Sequence, residues 1–264
     1  MQYESYPLLL TCIDLVGEKI SPSDTSLNRS FETKELNNIQ IKFDKFKQFI
    51  LDDNEVEFLK LELDWYLDRI QQPDRRPIEI NHNKWTENWV PTSIDINKML
   101  KEKAKELVGC VNRCGPNSNY GEMCLRLKNH VGITQLDWIV EKLSKDKGSR
   151  QAIAFYNSPN YQYYSNQDFV CTLNQMFSIK DNKLNTVVNI RSNDLINCFR
   201  FDSIWYYIFQ NIVLNKLKEF YPDLKIGYML CNIASAHYYI KDYDKLKQIV
   251  NCENFKELNI ENYI

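Results

Sequence analysis

The chain has 264 residues, with 33 Lys plus Arg against 35 Asp plus Glu and a formal net charge of −2. That balance lacks the basic excess of a nucleic-acid binder, so no nucleic-acid polymer is an expected partner, and the length suits one large domain with a substantial core. Eight cysteines are scattered along it, and the apolar run from Pro7 to Cys12 fits neither a signal peptide nor a membrane span, so reduced thiols in a cytosol and no membrane are expected.

Residues 1 to 43 read as a lead-in ending in a strand-like run, Ile39 to Phe43, with Arg29 in a polar loop before it. The strongest helix follows from Asp53 to Ile70, where Leu59, Leu63, Tyr66, Leu67 and Ile70 fall on one stripe. Glu62 sits on that same stripe. A carboxylate buried there is costly unless protonated or hydrogen-bonded, which marks Glu62 as a functional candidate. From Gln71 to Pro116 the pattern weakens: Trp85 and Trp89 punctuate a polar stretch, and Ile94 to Val111 suits a charged helix. Cys110, Cys114 and Cys124, with His130 nearby, have no zinc-ligand spacing, and no metal is expected.

Thr134, with Asp137 three residues on, reads as a capping box ahead of a helix carrying Leu136, Ile139, Val140 and Leu143. Ser149-Arg150 then enters a strand from Gln151 to Tyr156. Two alternating runs, Val170 to Ile179 and Leu184 to Arg191, flank the turn-forming Lys180-Asp181-Asn182-Lys183 and predict a β-hairpin. Pairing would bring Cys171 to the same sheet edge as Arg191, Ser192 and Asp194. A cation beside a thiol lowers its pKa and makes it a better nucleophile, although a lone strand cysteine is more often a small buried hydrophobe. Ser203 to Phe220 reads as a helix stopped by Pro222, with Asp202 able to cap it. Lys225 to Tyr239 is strand-rich and ends in His237-Tyr238-Tyr239; Leu246, Ile249 and Val250 suggest a last helix.

The order Cys171-Thr172, Asp181-x-Lys183-Leu184, Arg191-Ser192-Asn193-Asp194 and Phe199-Arg200-x-Asp202 resembles the thymidylate synthase superfamily. Within it, the stretch is most similar to the deoxycytidylate hydroxymethylases of T-even phages. Glu62-Leu63-Asp64-Trp65-Tyr66, Tyr120-Gly121 and His237-x-Tyr239 extend the resemblance over most of the chain. It implies an α+β fold with a mixed sheet packed by helices, a single domain over residues 1–264 with an insertion around 86–116, and a homodimer joined through the sheet. It also implies transfer of a one-carbon unit from 5,10-methylenetetrahydrofolate to carbon 5 of a pyrimidine deoxynucleoside monophosphate, in a host cytoplasm if the chain is phage-encoded. Thymidylate synthesis on dUMP, action on CMP, and a non-catalytic nucleotide-binding role stand as alternatives.

By the same resemblance Cys171 is the nucleophile, Glu62 positions water and Tyr120 aids proton transfer. Arg191 and Ser192 hold the phosphate with the partner subunit's Arg150, and Arg29 is a further phosphate candidate. His237 and Tyr239 bind the sugar, while Trp85, Asp194 and Cys198 border the folate. Asp202 stands where synthases carry asparagine, and a carboxylate accepts from the cytosine amino group but opposes the uracil carbonyl. Two departures stand out: Gln151 replaces a second arginine, and Cys198 a glycine.

Overall fold

Alternating apolar and polar residues build one mixed sheet, and an almost wholly apolar helix covers its centre. The structure, a computed structural model, describes residues 2–3, 5–21, 31–46, 53–67, 119–159, 162 and 169–251. In chain order these form β1 (Gln2–Tyr3), α1 (Tyr6–Val16), β2 (Glu18–Ile20), β3 (Thr33–Phe43) and α2 (Asp53–Tyr66). A π-helical turn (Glu122–Arg126), α3 (Gln135–Lys145), β4 (Ile153–Phe155), β5 (Thr172–Lys180) and β6 (Lys183–Asp194) follow. Next come α4 (Phe199–Leu217), β7 (Lys225–Tyr239) and α5 (Tyr243–Asn251). Arg29, Trp85, Trp89, Cys110, Cys114, Cys252, the expected helix over 94–111, the insertion over 86–116 and the C-terminal tail lie outside the described residues.

The strand order is β1-β3-β7-β6-β5-β4, with β2 paired to the outside of β3. β1–β3 and β6–β7 run parallel and the other pairs antiparallel, so the sheet is mixed as expected. The hairpin turns tighter than its four polar residues suggest. Lys180 pairs with Lys183, and only Asp181 and Asn182 turn, both at positive φ (50° and 55°). This suits a two-residue turn whose twist matches the strands, and Asn and Asp tolerate it best among residues with a side chain. β7 is a single 15-residue strand, and β3 begins at Thr33, well before the expected Ile39.

Period-two alternation sorts the sheet into two faces. Ile41, Cys231, Val188 and Gln175 are register neighbours across four strands, and all are buried. The adjacent row, Gln40, Asn232, Asn189 and Asn174, points the other way and is half-buried. There Asn232 donates to Asn189 at 2.9 Å, and Asn189 donates to Asn174 at 2.8 Å.

α4 covers the first face. It is apolar nearly all round, as a helix in a core should be, with Phe201, Ile204, Trp205, Ile208, Phe209 and Val213 buried. Of its polar exceptions, Gln210 donates to the carbonyl of Leu184 at 2.8 Å, and Arg200 meets Glu55 of α2. The capping box at Thr134 and Asp137 forms as expected ahead of α3. Gly121 lies so close to the Tyr66 carbonyl that a Cβ would overlap it, and Arg126 donates to the same carbonyl at 2.7 Å. The π-helical turn is thereby seated on the end of α2. Among the described residues, no helix is long and apolar enough to cross a membrane.

Candidate active site

The hairpin brings Cys171 and Arg191 together, as its alternation implied, but at its open end and on inner strands, because β4 and β7 flank β5 and β6. Cys171 is half-buried just before β5, and its carbonyl accepts from the Arg191 backbone N–H at 2.9 Å. The guanidinium does something the sequence did not suggest. Its Nε donates to the carbonyl of Val170 at 3.1 Å and an Nη to that of Phe169, with the Phe169 ring 5.2 Å away. Arg191 therefore pins the two residues ahead of the thiol. That uses two of its five N–H donors and leaves three for an anion.

A buried hydroxyl chain lies behind Cys171. Thr172 Oγ1 meets the hydroxyl of Tyr120 at 3.0 Å and that of Tyr206 at 2.5 Å. Gln175 donates to the Tyr206 carbonyl at 3.0 Å and accepts from the Tyr156 hydroxyl at 2.7 Å, while Trp205 donates to that hydroxyl at 3.2 Å. Burial pushes the Tyr156 and Tyr206 hydroxyls well up, so both stay protonated. Tyr120 and Gly121 are helical, leading into the π-helical turn.

Glu62 is buried at 2% exposure on the apolar side of α2, where its helix phase placed it. Its Oε1 accepts from Tyr66 one turn on, at 3.3 Å, and the Tyr66 ring stacks on Tyr120 at 5.6 Å. Glu62 is thus tied through one ring to Tyr120, and through Tyr120 to the threonine beside Cys171.

The capping role for Asp202 fails. α4 begins at Phe199, four residues earlier than its apolar run suggested, so Asp202 lies inside the first turn and Cys198 holds the cap position. Asp202 is 8% exposed, and its Oδ2 accepts from Asn193 Nδ2 at 3.1 Å. Tyr206, one turn further on, brings the hydroxyl chain to its side of the helix. Cys198 adopts an ordinary right-handed backbone (φ −116°), so nothing in the main chain there demands glycine.

Asp194 is largely spoken for. Oδ1 accepts from the backbone N–H groups of Ile196 and Asn197 at 2.9 and 3.0 Å, and Oδ2 from the Asn197 amide at 3.0 Å. A carboxylate has about four acceptor positions, so roughly one remains for a pterin. This fits a folate contact only narrowly. Ser192 is half-buried next to Arg191. His237 pairs in register with Asp194, its carbonyl accepts from Leu195 at 2.8 Å, and its ring meets Tyr239 edge-on at 5.6 Å. Arg150 is exposed in the loop after α3. Among the described residues, no cluster of three or more His, Cys, Asp or Glu could hold a metal ion.

Thr172, Asn193 and Tyr206 escaped sequence reasoning. Thr172 adjoins the cysteine and Tyr206 follows a tryptophan, and neither pattern marks a hydroxyl chain; Asn193 is legible only as part of Arg-Ser-Asn-Asp.

A mixed sheet with a thiol and an arginine at the open end of one hairpin, backed by buried hydroxyls and a buried acid on the covering helix, defines an α+β protein. A family model described as thymidylate synthase matches residues 14–263, and the chain belongs to that family. It is 34% identical over 137 residues to the deoxycytidylate 5-hydroxymethyltransferase of Enterobacteria phage T4, covering 48% of this chain and 53% of that one. The match thus spans about half the length of the phage relative. A putative thymidylate synthase of Methanosarcina barkeri is 30% identical over 159 residues, covering 59% of this chain and 68% of that one. The fold resembles thermostable thymidylate synthase A from Bacillus subtilis, with a TM-score of 0.61 and 18% identity over 97% of this chain and 86% of that one.

Proposed function

We propose that the protein is a one-carbon transferase acting at carbon 5 of deoxycytidine monophosphate, and that it leaves a hydroxymethyl group there. The observation that carries this reading is Asp202: buried, inside α4 and not capping it, with one oxygen accepting from an amide. An ionised carboxylate so held offers acceptors to the cytosine amino group, and it opposes the carbonyl that uracil presents in the same place.

Carbon 5 of a pyrimidine is a poor nucleophile. Addition of the Cys171 thiolate to carbon 6 makes carbon 5 electron-rich, which splits one hard step into two easier ones. Methylenetetrahydrofolate would supply the one-carbon unit. Loss of the carbon 5 proton, assisted by Tyr120 within its hydroxyl chain, and departure of tetrahydrofolate as its bond to the transferred carbon breaks would leave an exocyclic methylene. Glu62 orients the water that traps the exocyclic methylene, and departure of the Cys171 sulfur restores the ring. The free donors of Arg191, with Ser192, Arg29 and the partner subunit's Arg150, hold the phosphate. His237 and Tyr239 bind the sugar; Trp85 and the remaining acceptor of Asp194 border the folate, beside Cys198. The active form is a homodimer whose interface is the half-buried face carrying the asparagine row.

The similarity to a putative thymidylate synthase favours a second reading, methyl transfer to dUMP. Incubation with each pyrimidine monophosphate plus methylenetetrahydrofolate, followed by mass spectrometry, separates the two. A product heavier by CH2O from dCMP supports hydroxymethylation; one heavier by CH2, formed with dihydrofolate, would replace it with methyl transfer.

A further inference from the structure

We propose that Asn193 is a second determinant of base choice, acting through Asp202 as a positioning residue; this rests on the assignment of Asp202 to the base. Asn193 lies on β6, two residues beyond Arg191, and is 1% exposed. Its Nδ2 donates to Asp202 Oδ2 at 3.1 Å. Its Oδ1 is buried and has no hydrogen-bond partner among the described residues. A buried carbonyl oxygen left unpaired is costly, so the amide is held in this orientation by what Nδ2 gains at Asp202.

An amide has two ends of opposite character, and a carboxyl oxygen can answer either one. With Nδ2 toward it, Oδ2 must be an acceptor. A protonated Oδ2 would instead call the amide round to present Oδ1, which here has no other partner. The amide's orientation and the carboxylate's ionised form therefore select each other. Burial, with the Asp202 charge as a lesser cause, raises the Tyr206 hydroxyl on α4 and the Cys231 thiol on β7, so both are neutral. Asn193 thus helps keep Asp202 an acceptor in this orientation, which admits cytosine. An Asp202 free to rotate or to carry a proton would offer a donor, as an asparagine does, and admit uracil.

The test is equilibrium binding of dCMP and dUMP by calorimetry without folate. It compares wild type, Asn193→Leu, Asn193→Ser, Asp202→Asn and the Asn193→Ser/Asp202→Asn double variant. Wild type should prefer dCMP. Each Asn193 single variant should cut that preference about tenfold, the order expected for one hydrogen bond to a charged group. In the Asp202→Asn background the Asn193 change should do nothing further to the ratio, since its partner has gone. The serine variant fits the same space, and a thermal melt establishes its fold even if the leucine variant does not fold. Equal weakening for both nucleotides, or additive effects in the double variant, would make Asn193 a packing residue and overturn the proposal. If Asp202→Asn shifts the ratio and the Asn193 variants do not, only the role of Asn193 falls. If Asp202→Asn leaves it unchanged, the base assignment itself falls and takes this inference with it.

Discussion

The Arg200 guanidinium and the Glu55 carboxylate meet in a two-point ion pair, at 2.6 and 2.7 Å, with neither side chain more than 1% exposed. Lys245 of α5 adds a third contact to Glu55 at 2.9 Å. This pair bolts α2, which carries Glu62, to the start of α4, which carries Asp202. Removing one partner strands a buried charge, which typically costs about 3–5 kcal/mol. Glu55→Gln should therefore lower stability to urea by about that amount. The double variant Glu55→Leu/Arg200→Met should recover most of it, since a well-packed apolar pair often matches a buried ion pair. An unchanged urea midpoint in Glu55→Gln would show that the pair contributes nothing.

The proposed nucleophile has its own test. If Cys171 forms the covalent adduct, Cys171→Ala removes that step and little volume, so tritium release from carbon 5 of the nucleotide should vanish while nucleotide binding persists. Iodoacetamide labelling adds a second line. Cys124 and Cys231 are buried, and burial pushes both thiols up, so they should stay unlabelled in the folded protein. Half-buried Cys171 should react and be shielded by dCMP. Tritium release at the wild-type rate from Cys171→Ala would end its assignment.

Asp242 predicts a pH effect. Its Oδ2 accepts from Asn197 at 2.8 Å. Burial, helped by the nearby Asp194 charge, nevertheless raises its carboxyl above the ordinary value; the Asn197 hydrogen bond and Lys241 and Lys245 oppose the shift. The native state then holds the proton more tightly than the unfolded chain does. Its contribution to stability is full below the ordinary aspartate pKa and is lost as pH rises through the raised native value. Asp242→Asn removes the titration and can still accept from Asn197. The variant should gain on wild type as pH climbs out of the carboxylate range, seen in urea melts at several pH values. Parallel stability curves would contradict this.

Assembly can be read by complementation. If Arg150 serves the partner subunit's phosphate site, inactive Arg150→Ala and Cys171→Ala chains should regain activity when mixed. One site of the hybrid then has an intact Cys171 and receives an intact Arg150. Full activity in a monomer, by sedimentation under assay conditions, would rule the arrangement out.

Local signals carried far in this chain. The hairpin, the capping box at Thr134 and the long helix bearing Glu62 follow from alternation, cap chemistry and a 3.6-residue stripe. The start of α4 did not, because its cap residue, Cys198, makes no side-chain cap hydrogen bond. The acid that would announce a helix there, Asp194, instead ties down the turn before it. Glu55 looks like any acidic residue in the first turn of a helix, and its partner lies 145 residues away. Side-chain destinations of this kind depend on tertiary packing, which no local pattern encodes. The same holds for Arg191: its type and place were legible, but its hold on the Phe169 and Val170 carbonyls was not.

Gly121 gives the site a vulnerability of an unusual sort. The seam between the π-helical turn and α2 closes only because one carbon atom is missing at that position, and Tyr66 and Tyr120 stack across it. Any side chain would act as a wedge, prising Tyr120 and the Glu62–Tyr66 pair apart while altering none of them. On the proposed mechanism, a chain damaged in this way would assay like one that had lost Tyr120 and Glu62, yet sequencing would find both in place.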